Sequence, residues 1–441
     1  HWLKTSISFK MFVVGFLMII LIVPMVFVSG LISERETLQQ ETIHEISSKW
    51  GSDQFLVGPI LVIPFKVMEG EEGKEKAAIY YAYFLPENLD ISGEVNPETL
   101  NRGIYEVTVY NADLMFSGKF KSPDIESLRL ESDQMLWEDA FISVGISDMR
   151  GIKENIELKL NGKDLNFTPG IDPVVLSMTG VTADIYGSDS AFFKNGAEFS
   201  FNVNVNGSNA INFTPLGKQT EAKISSPWVN PGFDGSFLPD KREITEAGFN
   251  AEWKVLNLNR SYPQEWTKEK YKVTESYFGV NLLQPVEQYQ KIDRSAKYAF
   301  LFIFLTFIIF FFVEVINKTR IHPIRYLLVG LALIIFYTLL LSISEVIGFE
   351  LAYIISAGLV VIMVSIYSRN FLKKWILTGF MFLVLSVLYG FLYFTIQLQD
   401  YSLLAGSIGL FIILAILMYF SRKINYEKDE LKKASEPVVS N

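Results

Sequence analysis

The sequence predicts a membrane protein with six transmembrane α-helices and a large β-rich, sandwich-like domain inserted between helices 1 and 2. Half of the 441 residues are hydrophobic and 20% are charged, which suits a chain that lies partly in lipid and partly in water. Six apolar runs approach the roughly 20 residues that a helix needs to cross a bilayer. About 265 residues without such a run separate the first from the other five, and several stretches of them alternate apolar and polar side chains.

The first apolar run covers residues 11–32 and is predicted to be an N-terminal anchor. It is longer than the usual 7–15-residue core of a signal peptide, so we expect it to be retained rather than cleaved. The remaining runs form a predicted five-helix bundle over residues 298–420, with spans at 298–316, 326–343, 351–367, 375–396 and 403–420.

Lysine and arginine orient these spans, because such residues in short loops remain on the cytoplasmic side. They occupy alternate loops, at Lys4 and Lys10, at Lys318, Arg320 and Arg325, at Arg369, Lys373 and Lys374, and at Arg422 and Lys423. The other short loops contain the acids Glu345, Glu350 and Asp400 and no lysine or arginine. The pattern predicts a cytoplasmic N-terminus (1–10), a cytoplasmic tail (421–441) and an external domain over residues 33–297.

The external domain is predicted to be a β-sandwich. In residues 198–206 the apolar side chains fall on one face and Ser200, Asn202, Asn204 and Asn206 on the other, as in a half-buried antiparallel strand. Similar strands are predicted at 55–65, 78–84, 105–110 and 141–146, with turns at Asn161-Gly162 and Asn206-Gly207. Two stretches, 33–49 and 122–137, are predicted to be helices.

The sequence shows no recognisable catalytic, cofactor-binding or metal-binding constellation. It has no cysteine, which excludes disulfides and thiolate chemistry, and only three histidines. His44-Glu45 lacks the second histidine of a zinc protease, and the run from Asn202 to Gly207 lacks the carboxylates of a calcium loop. A net charge of −9 gives no basic surface for nucleic acid. We therefore expect no catalytic residue, no cofactor, no metal and no nucleic-acid partner.

Two acidic residues at the ends of spans are candidate polar sites. An ionisable group within a span is by default a functional hypothesis, and Glu314 is the one such group inside the six limits. Either it forms an ion pair at the helix end, with Lys318 four residues later as a suitable partner, or it takes part in ion or proton movement. Glu345 lies just beyond the third span, where an interfacial position is the simpler interpretation.

A resemblance to a known family extends over nearly the whole chain. The clearest stretch runs through Asp293-Arg294, Lys297-Tyr298-Ala299, Leu305-Thr306-Phe307, Phe310-Phe311, Glu314, His322-Pro323, Tyr326-Leu327-Leu328-Val329-Gly330-Leu331, Ser344-Glu345 and Gly348-Phe349. Further matches are Leu56-Val57-Gly58-Pro59, Leu85-Pro86-Glu87, Asp148 with Arg150-Gly151, Phe237-Leu238-Pro239, Lys241-Arg242 and Gly248-Phe249. In these residues the chain resembles the CreD family of bacterial inner-membrane proteins, usually described as cell-envelope integrity proteins.

The resemblance implies a multi-pass protein of the inner membrane, with residues 33–297 in the periplasm, and a link to envelope stress. It carries over no catalytic residue, substrate or cofactor. The partners that we expect are membrane lipids and an unidentified envelope protein or cell-wall component, and the oligomeric state stays open.

Several matched residues permit a physical interpretation. Arg294 and Lys297 oppose the positive-inside rule, so we expect them to pair with lipid phosphates or with acids such as Asp293 or Glu287. Asp148, Arg150 and Arg242 form either a buried ion pair that braces the sandwich or a ligand contact. His322 is a further candidate polar residue.

We therefore expect a non-enzymatic membrane protein that supports cell-envelope integrity or the envelope stress response, whose external domain senses, binds or scaffolds an envelope component. One alternative is a transporter or lipid-handling protein, in which the helical bundle is the working part. The second is an envelope hydrolase or transferase, which would need a cleft with converging carboxylates or a serine–lysine pair.

Overall fold

The structure, a computed structural model, describes residues 7–69, 76–171, 176–267, 271–282, 288–317, 319, 321–398 and 401–421. The chain divides into two compact units. One comprises His1–Leu38 together with Val286–Asn441, and the other comprises Gln39–Pro285. The first is helical and the second is built mainly of β-strands.

The helices confirm the predicted membrane architecture of an N-terminal anchor and a C-terminal bundle. They are α1 (Ile7–Trp50), α2 (Gln288–Lys297), α3 (Ala299–Ile316), α4 (Pro323–Ile347), α5 (Phe349–Leu372), α6 (Trp375–Gln397) and α7 (Ser402–Ser421). Within the described residues, α1, α3, α4, α5 and α6 are long and apolar enough to cross a membrane. Helix α7 corresponds to the sixth predicted span and contains the apolar stretch Leu404–Ala415. The predicted helix at 33–49 is the continuation of α1, which runs unbroken to Trp50.

Glycine allows α1 and α4 to approach closely in the helical unit. A Cβ atom added at Gly330 of α4 would lie 2.2 Å from Leu21 Cδ1 of α1 and 2.9 Å from the Phe307 ring of α3. Only a residue without a side chain fits at such a contact between membrane helices. The anchor therefore packs against the bundle rather than standing apart from it.

The β unit contains seventeen strands in its described part. They are β1 (Gln54–Glu69), β2 (Lys76–Phe84), β3 (Asn88–Arg102), β4 (Tyr105–Phe120), β5 (Phe141–Ile146), β6 (Glu157–Leu160), β7 (Lys163–Asn166), β8 (Thr168–Pro169), β9 (Gly180–Asp184), β10 (Ala197–Ser208), β11 (Ala210–Phe213), β12 (Gln219–Ser226), β13 (Pro231–Gly235), β14 (Lys241–Thr245), β15 (Gly248–Leu256), β16 (Glu265–Thr267) and β17 (Phe278–Leu282). All five predicted strands are among them.

These strands form two sheets that share one core, as a sandwich requires. The nine-stranded sheet has the order β13-β17-β11-β1-β5-β9-β8, with β2 on β1 and β16 on β2, and the eight-stranded sheet has the order β14-β15-β12-β3-β4-β10-β6-β7. Aromatic rings bridge the two layers. Trp253 of β15 lies 5.4 Å from Phe278 of β17, and Phe116 of β4 lies 6.4 Å from Phe213 of β11, measured between ring centroids.

The prediction of a helix at 122–137 was wrong. The segment forms turns and ends in a short 3-10 turn, Trp137–Asp139. Leu130 N and Gln134 N close local turns on Ile125 O and Glu131 O, and the end of the segment pairs with β1, since Lys66 N donates to Gln134 O and Leu136 N donates to Pro64 O. Long-range pairing and the packing of its apolar residues on the core therefore override a helical start signal.

One of the two predicted turns is confirmed and the other was wrong. Asn161 and Gly162 both have positive φ angles, 49° and 79°, and connect β6 to β7 in a tight hairpin. Asn206 and Gly207 instead lie within β10, paired with β4, and the chain turns at Asn209, whose φ is 56°. An asparagine–glycine pair is compatible with a strand when its neighbours extend the sheet.

Candidate functional site

A polar groove lies on the eight-stranded sheet of the β unit, with a volume of about 850 Å³. Its lining comes from β3, β4, β10 and β6 and from the segment just before β6. The polar residues that line it are Ser92, Asp113, Glu154, Asn155, Glu157, Lys159, Ser200, Asn202 and Asn204. The apolar residues of the same strands, such as Leu114, Phe201 and Val203, are buried in the core, because alternate side chains of a strand point to opposite faces.

One wall of the groove is a bulge in the chain before β6. Ile152 pairs with Val205 of β10, and Leu158 pairs with Phe201, so this side has two more residues than β10 between the same two pairings. The extra length carries Glu154 and Asn155, whose side chains are exposed. A bulge of this kind redirects side chains at the margin of a sheet.

A row of amide side chains runs along the groove from its lining residues to the neighbouring part of the sheet. Asn111 Nδ2 of β4 donates to Asn204 Oδ1 at 2.9 Å and to Asn206 Oδ1 at 2.8 Å, both on β10. Asn204 Nδ2 in turn donates to Asp113 Oδ1. These bonds fix the orientation of the Asn111 and Asn204 side chains. The sequence predicted the polar face of β10, whereas no local signal identified Asn111 and Asp113, which the strand register brings opposite it.

The predicted Asp148–Arg150 ion pair forms, but Arg242 does not join it. Arg150 Nε and Nη2 donate to Asp148 at 2.8 and 2.7 Å, and the backbone N–H groups of Arg150 and Ser52 donate to it at 3.1 and 2.9 Å. Asp148 is 9% exposed and Arg150 59%. The Arg150 guanidinium, helped by the backbone donors, holds the pKa of Asp148 well below its ordinary value. Arg242 is exposed on β14, and none of the ion pairs in the described part of the chain joins it to Asp148.

Around Asp148, hydrogen bonds join three segments of the chain that are distant in sequence. Gln54 Nε2 donates to the backbone oxygens of Asp148 and Asn206 at 3.1 and 2.8 Å and is fully buried. Gly151 has no room for a side chain, because an added Cβ would lie 2.2 Å from Asn206 O. These contacts favour a role of Asp148 and Arg150 in bracing the β unit. The alternative, a ligand contact, stays a prediction.

In the helical unit, Glu314 of α3 is buried, at 3% exposure, and held by three donors. Lys10 Nζ of α1 lies 2.6 Å from Oε1, Tyr326 OH of α4 donates to Oε2 at 2.9 Å, and Ile321 N donates to Oε1 at 3.3 Å. The partner suggested by sequence spacing, Lys318, lies outside the described residues. A lysine 304 positions away was not identifiable from local spacing.

His322 and Glu345 also have defined positions in the helical unit. His322 caps α4, since its Nδ1 accepts a hydrogen bond from Ile324 N at 3.4 Å. Glu345, near the other end of α4, accepts a hydrogen bond from Tyr289 OH at 3.0 Å and lies 3.7 Å from Arg35 Nε.

Helix α2 carries Arg294 and Lys297, for which the sequence predicted lipid phosphates or nearby acids as partners. Lys297 Nζ lies 2.7 Å from Oδ2 of Asp293, one of the two acids named as possible partners in the sequence analysis. Arg294 is half-buried on the same helix. The other candidate acid, Glu287, lies outside the described residues. The pairing of Arg294 with a lipid phosphate stays a prediction.

Comparison with known proteins covers nearly the whole chain. The family model described as "Inner membrane protein CreD" matches residues 6–427. The protein "Inner membrane protein CreD" of Escherichia coli (strain K12) is 32% identical over 447 residues, which cover 99% of this chain and 98% of that protein.

Proposed function

This chain belongs to the CreD family of inner membrane proteins, and on that premise we propose that it is a non-enzymatic protein that supports the integrity of the cell envelope. In this proposal residues 33–297 lie in the periplasm and sense, bind or scaffold an envelope component. The termini lie in the cytoplasm, as the distribution of lysine and arginine predicts.

The observation that carries the proposal is the polar groove of the β unit. It combines a concave surface of about 850 Å³ with polar side chains that can donate and accept hydrogen bonds, which supports binding of a polar envelope component. By contrast, the intramembrane carboxylate Glu314 is already satisfied by Lys10, Tyr326 and a backbone N–H. A buried charge with a full set of donors supports packing more than transport.

A deletion strain tests the proposal. We expect loss of the gene to increase sensitivity to detergent and to antibiotics that act on the cell wall, and the intact gene to restore resistance. In-cell crosslinking of the natively expressed protein followed by mass spectrometry identifies partners. A strain without any envelope phenotype, together with no reproducible partner, would refute the proposed role.

The orientation has its own test, for which the absence of native cysteine is an advantage. A single cysteine replaces Asp164, exposed on β7, or Lys374, exposed before α6. With the outer membrane permeabilised, we expect a membrane-impermeant maleimide to label the D164C protein, and to label the K374C protein only after lysis. The opposite labelling pattern would reverse the proposed topology.

An apolar cleft favours lipid handling as a second candidate function. The cleft has a volume of about 280 Å³, and Met18, Leu21, Met25 and Ser29 of α1 line it together with Phe300 of α3. Bound lipid that copurifies with the protein, and that is lost when a bulkier residue replaces Ser29, would support this alternative.

Three carboxylates along the groove, those of Asp113, Glu154 and Glu157, keep an envelope hydrolase as a third candidate. Release of reducing ends from a glycan by the purified protein, abolished in the Glu157→Gln variant, would favour it over a non-enzymatic role.

A further inference from the structure

We propose that the groove formed by β3, β4, β10, β6 and the bulge at Glu154-Asn155 binds an uncharged, hydroxyl-rich glycan chain. The inference rests on the proposed function and names the chemical class of the envelope component. It follows from the strands that form the groove, from its amide groups and from its charge.

The position of the groove argues against a peptide that adds as a strand. Such a peptide needs an edge strand with free backbone groups. Each of β3, β4, β10 and β6 has a neighbour on both sides in the sheet order. The ligand must therefore be recognised by side chains that stand on the face of the sheet.

Those side chains suit a ligand that both donates and accepts hydrogen bonds. An asparagine amide has donors on one end and an acceptor on the other, and a sugar hydroxyl can pair with either end. Asn202 and Asn155 are exposed on the floor and the wall of the groove. The fixed amides of Asn204 and Asn111 lie alongside. Since these amides are already oriented, binding loses less side-chain entropy than binding to a mobile surface would.

The charges of the groove favour an uncharged ligand over an anion. Asp113, Glu154 and Glu157 line it with a single cation, Lys159. A phosphate or uronate would meet net repulsion, because like charges brought together across an interface weaken binding. Lipid headgroups and acidic polymers are thereby disfavoured.

The apolar part of the groove is small and suits a sugar ring. Met115 is 48% exposed between the polar rows, whereas Leu114, Phe201 and Val203 point into the core. A single flexible apolar side chain can cover the C–H face of a ring. A hydrophobic peptide side chain would need a deeper apolar pocket.

The test is a binding titration of the full chain in lipid nanodiscs, which avoids detergents with sugar headgroups. The probes are a hexamer of β-1,4-linked N-acetylglucosamine, which is uncharged, and a hexamer of galacturonic acid, which is anionic. We expect saturable binding of the first and at least tenfold weaker binding of the second.

A double variant, Asn155→Ala with Asn202→Ala, should weaken binding of the uncharged hexamer at least tenfold. The matched control is Asn250→Ala, an exposed asparagine on β15 of the same sheet that does not line the groove, and it should bind as the parent does. The three side chains that these variants remove, those of Asn155, Asn202 and Asn250, are exposed. The thermal transition of each variant reports whether it folds.

The glycan inference is refuted if the uncharged hexamer does not saturate the protein, if the double variant binds it undiminished, or if the anionic hexamer binds equally well. Complementation of the deletion strain tests the proposed function separately. Glycan binding in vitro without any envelope phenotype would retain this inference and reject the envelope role. An envelope phenotype without glycan binding would reject this inference and retain the envelope role.

Discussion

Replacement of Asp148 by asparagine tests whether the Asp148–Arg150 cluster braces the β unit. The carboxylate accepts hydrogen bonds from Ser52 N, from Arg150 N and from two guanidinium nitrogens of Arg150. Asparagine keeps one acceptor oxygen, loses the charge and turns an NH2 group towards one of these donors. The arginine is an exposed partner and contributes only about 0–1 kcal/mol. Each charge-assisted bond from the backbone contributes about 1.5–3 kcal/mol.

We therefore expect Asp148→Asn to lower the free energy of unfolding by about 2–3 kcal/mol. For a unit of this size, that corresponds to a fall in Tm of roughly 4–12 °C. Five of the seven tryptophans lie in Gln39–Pro285, so tryptophan fluorescence of the purified full chain reports its unfolding. Asp164→Asn, at an exposed position on β7, is the matched control.

The pH dependence gives the same variant a second readout. The pKa of Asp148 is lower in the folded protein than its ordinary value of 3.8, so its contribution is complete above that value. It is lost as pH falls through the folded-state pKa. The difference in Tm between the parent and Asp148→Asn should thus shrink on acidification below about pH 4.

Equal transition temperatures for Asp148→Asn and Asp164→Asn at neutral pH would refute the bracing role. Loss of function in Asp148→Asn at unchanged stability would instead indicate the alternative, a ligand contact.

Two further variants test the packing of α1 on the bundle. Lys10→Met leaves Glu314 buried without its cation and should lower the free energy of unfolding by about 3–5 kcal/mol. Lys374→Met, at an exposed position, should not lower it. Equal thermal stability of the two variants would contradict the Lys10–Glu314 contact. Gly330→Leu places a side chain where Leu21 already lies and should cost about 1–3 kcal/mol, measured as a lower Tm in nanodiscs; a Tm equal to that of the parent would show that the helices do not approach there.

The sequence identified the features that depend on local composition and periodicity. Apolar runs located the membrane helices, because about 20 apolar residues in a row have no better environment than lipid. Period-two alternation located β10, in which buried and more exposed side chains alternate over much of its length. Similar runs located four other strands, of which β1 and β5 are buried over most of their length. Where several interactions compete, local reasoning failed. The segment 122–137 reads as a helix, yet its backbone pairs with β1.

The candidate sites show the same division. Asp148 and Arg150 are two positions apart, and the sequence was sufficient to suggest their ion pair. The donor to Glu314 is Lys10, 304 positions away, and the spacing of charges along one helix could not reveal it.

By itself, then, the sequence located the helices that are apolar enough to cross a membrane and five of the described strands, because hydrophobicity and side-chain alternation are properties of the local chain. Only the tertiary structure decided what those segments place side by side. The register between β4 and β10 sets Asn111 and Asp113 opposite Asn206 and Asn204, and a two-residue bulge at Glu154-Asn155 opens the groove beside them. Both depend on pairings between distant residues, for which no nearby stretch of sequence carries a signal.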